Sequence, residues 1–315
     1  MLYLVNNNQD PYFNIALEEY LFSSTKFNDD IIIIWRNKES IFLGKNQNPY
    51  VEIMHDLINS RQIPLLRRIS GGGTVYHDSG NVNMTFIQKN IKLDQIDFIK
   101  YTKFMQEMLI SFGIDATYSD RKDLLVDGKK ISGSAQCIRG NKCLYHGTLL
   151  FDANLDNLNK YLISNKKANS NATKSVRSKV TNLNEYFDFS IEEFIDMIEK
   201  YIIMNEENLQ KIVLDDGDFM KINENLETIY SKDKWIFEKT PKFNISIEDE
   251  EDLKIYIEVN RWKIKEFKIT YKDSIGEIQE KILDKLIDEL FFQKNVLNII
   301  EENYKEYKHI ISKIF

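Results

Sequence analysis

The sequence predicts an α/β (α+β) protein that combines a large domain, residues 1–240, with a small α+β domain, residues 241–315. Two observations carry this prediction. Through the first part of the chain, segments with helical spacing of apolar residues alternate with segments of strand character. After Thr240-Pro241 the pattern changes to two alternating segments typical of a hairpin, followed by helical spacing to the last residue. A chain of 315 residues is long for one domain, which agrees with this division.

The composition is that of a globular protein and excludes several classes. Hydrophobic residues make up 43% and charged residues 29% of the chain, and the formal net charge is −7. A general nucleic-acid-binding protein would carry a basic surface, so we expect no nucleic-acid partner. The longest conspicuous apolar run, Ile31–Trp35, has the length of a strand, so we expect no membrane partner. The chain has two cysteines, Cys137 and Cys143, and no export signal, which predicts a cytoplasmic location.

Local signals predict the elements of the large domain. Asp10-Pro11 predicts a helix start, with aspartate as the N-cap and proline at the first helical position. Asn48-Pro49 predicts the start of a second helix with apolar residues from Val51 to Ile58, and a third helix is expected over about Gln95–Phe112. The predicted strands are Ile31–Trp35, Ile41–Gly44, Asn81–Phe86, Leu124–Val126, Ile131–Ala135 and Leu144–Phe151.

The second half of the chain shows three further signals. The stretch Ser164–Asn182 has almost no large apolar residues and predicts a long loop of the kind that often carries function. A capping box at Ser190–Glu193 predicts the start of a helix. In the small domain, the hairpin segments are followed by a second capping box at Ser274–Glu277.

A glycine-rich segment follows two arginines. The three glycines Gly71–Gly73 predict a turn that needs a positive φ or the close approach of another group. Successive N–H groups of such a turn form an anion-binding nest, and Arg67 and Arg68 just before it suit phosphate or carboxylate. The following segment, Asn81–Phe86, alternates polar and apolar residues as a half-buried strand does. The P-loop and dinucleotide patterns both fail here. An anion site is the favoured interpretation, and the alternative is a glycine-rich connection with solvated arginines.

A second informative segment contains a lysine pair. Asp127-Gly128 predicts a tight hairpin, which places Lys129 and Lys130 on opposite faces of the next strand. The small residues of Ser132–Ala135 allow a ligand or another backbone to approach closely. One lysine could then neutralise a carboxylate and a phosphate together, which is what acyl-adenylate chemistry requires. An exposed Lys-Lys hairpin tip is the alternative.

These segments, in this order, resemble the lipoate–protein ligase A family, in the bacterial form with a small C-terminal accessory domain. No one of the motifs is specific, but the set is. The matching segments are Asn14–Glu19, Arg67–Asn81, Asp127–Ala135, His146–Leu150 and Ser175–Leu183.

The resemblance implies a fold and a reaction. The implied fold is a large mixed-sheet catalytic domain of the biotin and lipoate ligase type. In the implied reaction, lipoate and Mg-ATP give lipoyl-AMP and pyrophosphate, and a lysine of an apo lipoyl-domain acceptor then attacks the mixed anhydride. The acceptor would be the E2 subunit of a dehydrogenase or the H protein of glycine cleavage.

The resemblance also implies residue roles. Lys130 is the implied catalytic residue, which holds the carboxylate and the α-phosphate, and Asp123 is an implied Mg²⁺ ligand. The residues implied to bind ATP and lipoyl-AMP are Arg68, Ser70, Gly71, Gly72, Gly73, Thr74, Val75, Tyr76, Asn83, Asp123 and Lys130. The residues implied to bind lipoate are Leu17, His77, Lys130, Ser132, Gly133 and His146.

Two positions depart from the family pattern. Lys122 stands where many members have asparagine, which puts the metal role of this segment in question. Cys137 stands where many members have arginine, and Arg139 follows two residues later. Two explanations of this departure are open: a shift in register or a change in acyl-adenylate binding.

Three alternative functions are compatible with the fold. An octanoyl or lipoyl transferase between carrier proteins would use a cysteine nucleophile. In the relevant relatives that cysteine precedes the lysine hairpin, whereas both cysteines of this chain follow it. A lipoyltransferase that accepts only preformed lipoyl-AMP and a non-catalytic binding protein are the others.

Overall fold

The computed structural model describes residues 1–97, 99–162, 166–248, 253–271, 285–303 and 314–315. Within them the chain divides into two compact units. The first unit comprises Met1–Lys45, Met54–Ile163 and Lys174–Lys232. The second unit comprises Asn46–Ile53, Ser164–Thr173 and Asp233–Phe315. Two short segments from the earlier part of the chain thus belong to the second unit, although no local signal in the sequence marks them.

The first unit contains most of the strands and helices. Its strands are β1 (Leu2–Asn6), β2 (Ile31–Arg36), β3 (Ser40–Leu43), β4 (Leu65–Arg67), β5 (Val75–His77), β6 (Asn81–Gln88), β7 (Thr117–Tyr118), β8 (Leu124–Val126), β9 (Lys129–Ser132), β10 (Ser134–Arg139), β11 (Lys142–Leu150) and β13 (Gln210–Lys211). Its helices are α1 (Pro11–Ser23), α3 (His55–Ser60), α4 (Lys100–Ser111), α5 (Leu155–Tyr161), α6 (Ile191–Asn205) and α7 (Asp216–Asn225), with single turns at Leu93–Gln95, Leu183–Glu185 and Leu226–Tyr230.

Three sheets position the site in the described part of the first unit. The largest has the strand order β10-β11-β6-β2-β1-β13 and is mixed, because β1 pairs parallel with β2 and β13 while the other pairs are antiparallel. The second sheet has the order β4-β3-β5, and the third is the antiparallel sheet β7-β8-β9. Together with the helices, these sheets confirm the predicted α/β (α+β) class.

Several helix predictions are confirmed in detail. The Asp10 side chain accepts from the N–H groups of Tyr12 and Phe13, and Pro11 opens α1. The capping box of Ser190 and Glu193 is present at the start of α6. The other two helices differ from the prediction. The segment after Asn48 forms two short helices, α2 (Pro49–Glu52) and α3, because the chain is extended at Ile53 between them, and α4 begins five residues later than expected.

The prediction that Asn81–Phe86 is a half-buried strand is wrong, because both faces of β6 are buried. The apolar face, with Met84 and Phe86, packs in a core that includes Met105 of α4 and Ile198 of α6. The polar face lies against α1, where the Thr85 hydroxyl donates to the Glu18 carboxylate at 2.7 Å. Alternation along the sequence therefore separates two buried environments, one apolar and one polar.

The second unit is an antiparallel sheet with short helices. Its strands are β12 (Asn169–Ser170), β14 (Phe243–Glu248), β15 (Leu253–Asn260) and β16 (Lys263–Tyr271), and its helices are α2 (Pro49–Glu52), α8 (Asp233–Phe237) and α9 (Gln293–Asn303). The pairing of β15 with β16 confirms the predicted hairpin. The predicted capping box at Ser274–Glu277 lies outside the described residues. In the described residues, no helix combines the length and the apolar character needed to span a membrane.

Candidate active site

The glycine turn joins β4 to β5 and is built around the Arg68 side chain. The guanidinium donates to the Ser70 hydroxyl at 3.0 Å and to the carbonyl oxygens of Gly71 and Gly73 at 2.6 and 2.7 Å. Gly72, at the exposed apex, has a φ of +85°, which a residue with a Cβ rarely adopts. Arg68 therefore shapes the turn from inside by holding its carbonyl groups.

Both arginines before the turn are buried, so the alternative with solvated arginines is wrong. Arg67 donates to the carbonyl oxygens of Gly44 and Lys45, each at 3.0 Å. Burial lowers the pKa of Arg67 and of Arg68 to about 10, and both guanidiniums remain charged at neutral pH. Two neighbouring buried cations favour an anion at the turn.

The lysine hairpin has the predicted geometry. Asp127 and Gly128 have φ values of 51° and 71°, and they connect β8 to β9 in a tight turn. Lys129 is exposed, whereas the Lys130 side chain is 25% exposed and its Nζ lies 3.0 Å from Oδ1 of Asp123. The prediction that the two lysines face different environments is confirmed.

Gly133 allows the Lys130 side chain to pass close to the backbone. A Cβ at Gly133 would lie 3.1 Å from both Cε and Nζ of Lys130, which is closer than a relaxed contact. The Gly133 backbone is fixed by Thr148, whose N–H donates to the Gly133 carbonyl at 3.0 Å. The small residue at this position therefore defines where the ammonium group stands.

The Ser175–Leu183 segment connects the hairpin to the glycine turn. The Lys130 N–H donates to the Lys179 carbonyl at 2.8 Å, and the Thr181 N–H donates to the Lys130 carbonyl at 3.1 Å. At its other end, the Ser175 hydroxyl oxygen accepts from the Thr74 N–H at 2.9 Å. Apart from β12 and a single bridge at Val180, residues 166–182 form a loop, as expected; residues 164–165 lie outside the described part.

Strands β10 and β11 bring a histidine to the same place. Ala135 of β10 lies opposite His146 of β11, and a Cβ at Gly72 would lie 3.6 Å from Cβ of Ala135. His146 Nε2 is 2.6 Å from the Ser70 hydroxyl at the start of the glycine turn. The three segments that the sequence singled out therefore meet in the first unit.

Sequence reasoning missed a buried carboxylate behind His146. Glu18 of α1 is 3% exposed, and its Oε1 lies 2.9 Å from Nδ1 of His146. One signal in the sequence could have revealed it: Glu18 lies in an otherwise apolar helical stripe that includes Leu17 and Leu21. Since carboxylates are rarely buried without a partner, a glutamate at such a position indicates a hydrogen-bonded carboxylate.

His77 is fully enclosed next to this cluster. Its ring centroid lies 4.8 Å from that of Phe42, and Asn37 Nδ2 is 3.0 Å from its Nδ1. Burial, with further contributions from Arg68 and His146, lowers the pKa of His77 to about 3, so the imidazole is neutral at physiological pH. In the described part of the chain, its Nε2 has no hydrogen-bond partner.

The remaining residues with implied roles occupy different positions. Leu17 is buried on α1, and Ser132 is buried at the end of β9. Val75 is half-buried on β5, whereas the Tyr76 hydroxyl donates to Glu39 at 2.9 Å, with the Tyr76 ring against Tyr161. Asn83 lies on the polar face of β6, where its Oδ1 accepts from Asn81 at 2.9 Å. At Tyr76 only the backbone can serve the glycine turn.

The described side chains at the site form no metal cage. Among the described residues, no group of three or more His, Cys, Asp and Glu side chains could hold a metal ion. Asp123 is the acidic residue next to Lys130, and it already forms an ion pair. Lys122 is exposed and has a φ of 65°, a conformation that asparagine tolerates better than lysine. The asparagine that many family members have here therefore suits the turn.

The environments of the two cysteines disfavour the thiolate form. Burial raises the pKa of both thiols, Cys137 and Cys143. Strands β10 and β11 pair without a bulge, and Arg139 binds Glu19 of α1 at 2.5 Å. The β10–β11 pairing therefore shows no local shift in register at Cys137, where the sequence departs from the family pattern.

Comparisons with known proteins identify relatives of this chain in sequence and in fold. Residues 10–203 match the model of the lipoyl protein ligase A/B catalytic domain. The chain is 32% identical to lipoate-protein ligase LplJ of Bacillus subtilis over 99% of this chain and 98% of that protein. A lipoate-protein ligase A structure bound with ATP superposes with a TM-score of 0.62 at 23% identity, covering 74% of this chain and 96% of the other. A lipoate protein ligase of Thermoplasma acidophilum, studied with its E2 lipoyl domain, gives a TM-score of 0.62 at 22% identity over 75% of this chain and 94% of the other.

Proposed function

The chain belongs to the lipoyl protein ligase A/B family, and on that premise we propose that its site activates lipoate with ATP and transfers the lipoyl group to a lysine of an acceptor domain. In the first step, a lipoate carboxylate oxygen bonds to the α-phosphorus, the bond to the β-phosphate breaks, and pyrophosphate leaves. In the second step, the acceptor amine bonds to the carbonyl carbon, AMP leaves, and the amine loses a proton.

The observation that carries the proposal is that the segments that carry three cations, Arg67, Arg68 and Lys130, meet in the first unit. The first step brings two anions into contact, so it needs fixed positive charge at the point where they meet. Lys130 supplies an ammonium group that is partly buried and held at 3.0 Å from Asp123. Arg67 and Arg68 supply buried positive charge next to the turn, and the apex of the turn at Gly72 is exposed to solvent. We assign the α-phosphate to Lys130 and the backbone of Gly71–Tyr76.

The lipoyl chain suits the enclosed region next to the turn. His77 and His146 are buried or half-buried there, and Leu17 is buried on α1 beside Glu18, which contacts His146. A neutral His77 does not carry a charge into an apolar environment. We therefore propose these three residues, with Ser132 and Gly133, as the lipoate-binding set. The proposed acceptor is a lipoyl domain, either of a dehydrogenase E2 subunit or of the glycine-cleavage H protein.

We propose that Mg²⁺ enters as Mg-ATP and is held mainly by the phosphates. Magnesium retains several waters and often binds through one or two carboxylates together with substrate phosphates. A single carboxylate, Asp123, next to the proposed phosphate site fits this mode. The two free thiols, Cys137 and Cys143, suit action in a reducing compartment such as the cytoplasm.

Cysteine chemistry is disfavoured. A transferase that moves acyl groups between carrier proteins needs a thiolate, and burial raises the pKa of both thiols of this chain. Replacing both cysteines by serine should therefore leave ligase activity in place.

The decisive experiment measures pyrophosphate release from ATP and lipoate without any acceptor. Lys130→Ala should reduce the rate about 100- to 1000-fold, because it removes a fixed charge from the developing phosphate charge. Lys129→Ala is the matched control. Because Lys129 is exposed, this variant should release pyrophosphate at the rate of the unchanged protein.

The same assay separates the alternatives. Release of pyrophosphate by the unchanged protein excludes both a carrier-to-carrier transferase and a lipoyltransferase that depends on preformed lipoyl-AMP. Mass measurement of each apo acceptor after incubation with ATP and lipoate identifies the preferred partner. A rate of Lys130→Ala close to that of Lys129→Ala would overturn the assignment of Lys130.

A further inference from the structure

A continuous hydrogen-bond chain runs from α1 to the glycine turn. The Glu18 carboxylate contacts His146 Nδ1 at 2.9 Å, and His146 Nε2 contacts the Ser70 hydroxyl at 2.6 Å. The Ser70 oxygen accepts from Arg68 Nε at 3.0 Å. These hydrogen bonds thus link α1 to the arginine that shapes the turn.

The chemistry at its two ends fixes the direction of donation. A guanidinium only donates, so the Ser70 oxygen accepts from Arg68 through one lone pair, and the Ser70 hydroxyl proton stays available for donation. An ionised carboxylate only accepts, so His146 donates from Nδ1 to Glu18. A neutral imidazole is therefore held as the Nδ1–H tautomer, and its Nε2 then accepts the Ser70 hydroxyl proton.

Glu18 is itself held in place from the other side. The Thr85 hydroxyl donates to the same Oε1 at 2.7 Å, and the Trp35 indole N–H donates to Thr85 at 2.9 Å. The carboxylate is enclosed, with 4% of its side chain exposed, and water cannot readily replace it. A buried carboxylate is costly unless it is fully bonded, so this arrangement calls for a role.

We propose that Glu18 is a positioning residue for the activation of lipoate. It selects the tautomer of His146, which fixes the Ser70 hydroxyl, and Ser70 in turn orients the Arg68 guanidinium that holds the carbonyl groups of Gly71 and Gly73. The proposal rests on the proposed function, because the glycine turn is assigned there as the phosphate-binding wall. Its effect is to prepare that wall before the substrates arrive.

The test compares two substitutions of Glu18 with one of its neighbour. Glu18→Leu removes the acceptor, whereas Glu18→Gln retains an oxygen that can accept from His146 Nδ1. Glu19→Leu is the matched control, because Glu19 lies next in the same helix and pairs with Arg139 away from His146. Glu18→Ala serves as the second deletion variant if Glu18→Leu does not fold.

Two readouts are needed, and both use the full chain. For pyrophosphate release without acceptor, Glu18→Leu should lower kcat about 10- to 100-fold with the KM for ATP within about twofold, since losing a hydrogen-bond partner that orients a site residue has effects of this size. Glu18→Gln and Glu19→Leu should retain kcat within about fivefold. The long-range ¹H–¹⁵N NMR spectrum reports the tautomers directly, and four histidines make assignment practical.

The expected spectrum has an internal reference. His146 should be the Nδ1–H tautomer in the unchanged protein and in Glu18→Gln, and it should lose that preference in the deletion variants. His77 should be the Nε2–H tautomer throughout, because Asn37 uses its oxygen to accept from Asn14 and its nitrogen to donate to His77 Nδ1.

Three results would overturn the proposal. These are an Nε2–H tautomer of His146 in the unchanged protein, a deletion variant with unaltered kcat, and a loss of kcat in Glu18→Gln despite an unchanged tautomer. If the unchanged protein releases no pyrophosphate, the proposed function fails instead, and the tautomer of His146 still tests the Glu18 contact by itself.

Discussion

Replacing Gly133 by alanine should separate the stability of the first unit from its chemistry. The added Cβ would lie 3.1 Å from Cε and Nζ of Lys130, whereas relaxed carbon contacts fall at about 3.5–4.0 Å. The ammonium group must therefore move by roughly 0.5 Å or more, since it is the free end of a long side chain while the Gly133 backbone is held by Thr148.

The two expected effects differ in size. A displacement of about 1 Å in a reacting geometry costs about 100-fold in rate, so we expect a loss of about 10- to 100-fold in pyrophosphate release. The free energy of unfolding should change by less than about 1 kcal/mol, because the backbone of Gly133 does not require a positive φ and a flexible side chain absorbs the contact.

A substitution in the same hairpin gives the reverse pattern. Gly128→Ala meets no atom within 4 Å, but its φ of +71° should cost about 1–2 kcal/mol in stability. Its effect on the rate should be small, because Lys130 keeps its path over Gly133. Urea unfolding and the pyrophosphate assay on both variants test the argument. A Gly133→Ala rate within twofold of the unchanged protein would refute it, as would a loss of stability that accounts for the loss of rate.

Two further predictions concern pH and the turn before the lysine hairpin. Because the pKa of His77 is about 3 in the folded protein and 6.5 in the free imidazole, the unfolded chain binds more protons below pH 6.5, and the free energy of unfolding falls as the pH falls from 6.5 towards 3. Between pH 7 and pH 5 this contribution amounts to about 2 kcal/mol. In urea unfolding, the free energy of unfolding of His77→Gln should therefore fall by about 2 kcal/mol less than that of the unchanged protein over this pH range. Equal decreases in the two proteins would contradict the assignment of His77 as a buried neutral imidazole. Lys122→Asn should raise the free energy of unfolding by about 0.5–1 kcal/mol, because asparagine tolerates the positive φ at this position better than lysine does. The Mg²⁺ dependence of pyrophosphate release should stay unchanged. An altered Mg²⁺ dependence would instead indicate that this position contacts the metal.

Much of the local structure could be predicted from the sequence, because its signals are local. The start of α1 depends on Asp10 and Pro11 alone, and the β8–β9 hairpin depends on two residues that accept a positive φ. The glycine turn and the lysine hairpin were recognisable for the same reason. Local signals did not predict the structure where packing decides it. The segment after Asn48, for example, was expected to be one helix, but its first part belongs to the second compact unit and its continuation from Met54 to the first.

The candidate site shows the same limit. Arg68 and Lys130 could be singled out by residue type and spacing, but their environments could not, because the glycine turn, the hairpin and β11 belong to three different sheets. Only the tertiary structure buries Arg68, places Gly133 against the lysine and sets Glu18 behind His146. The sequence by itself determined which segments carry charge and which turns they form, since these depend on neighbours along the chain. The tertiary structure decided which of these charges are buried and which hydrogen bonds direct them, since both depend on elements far apart in sequence.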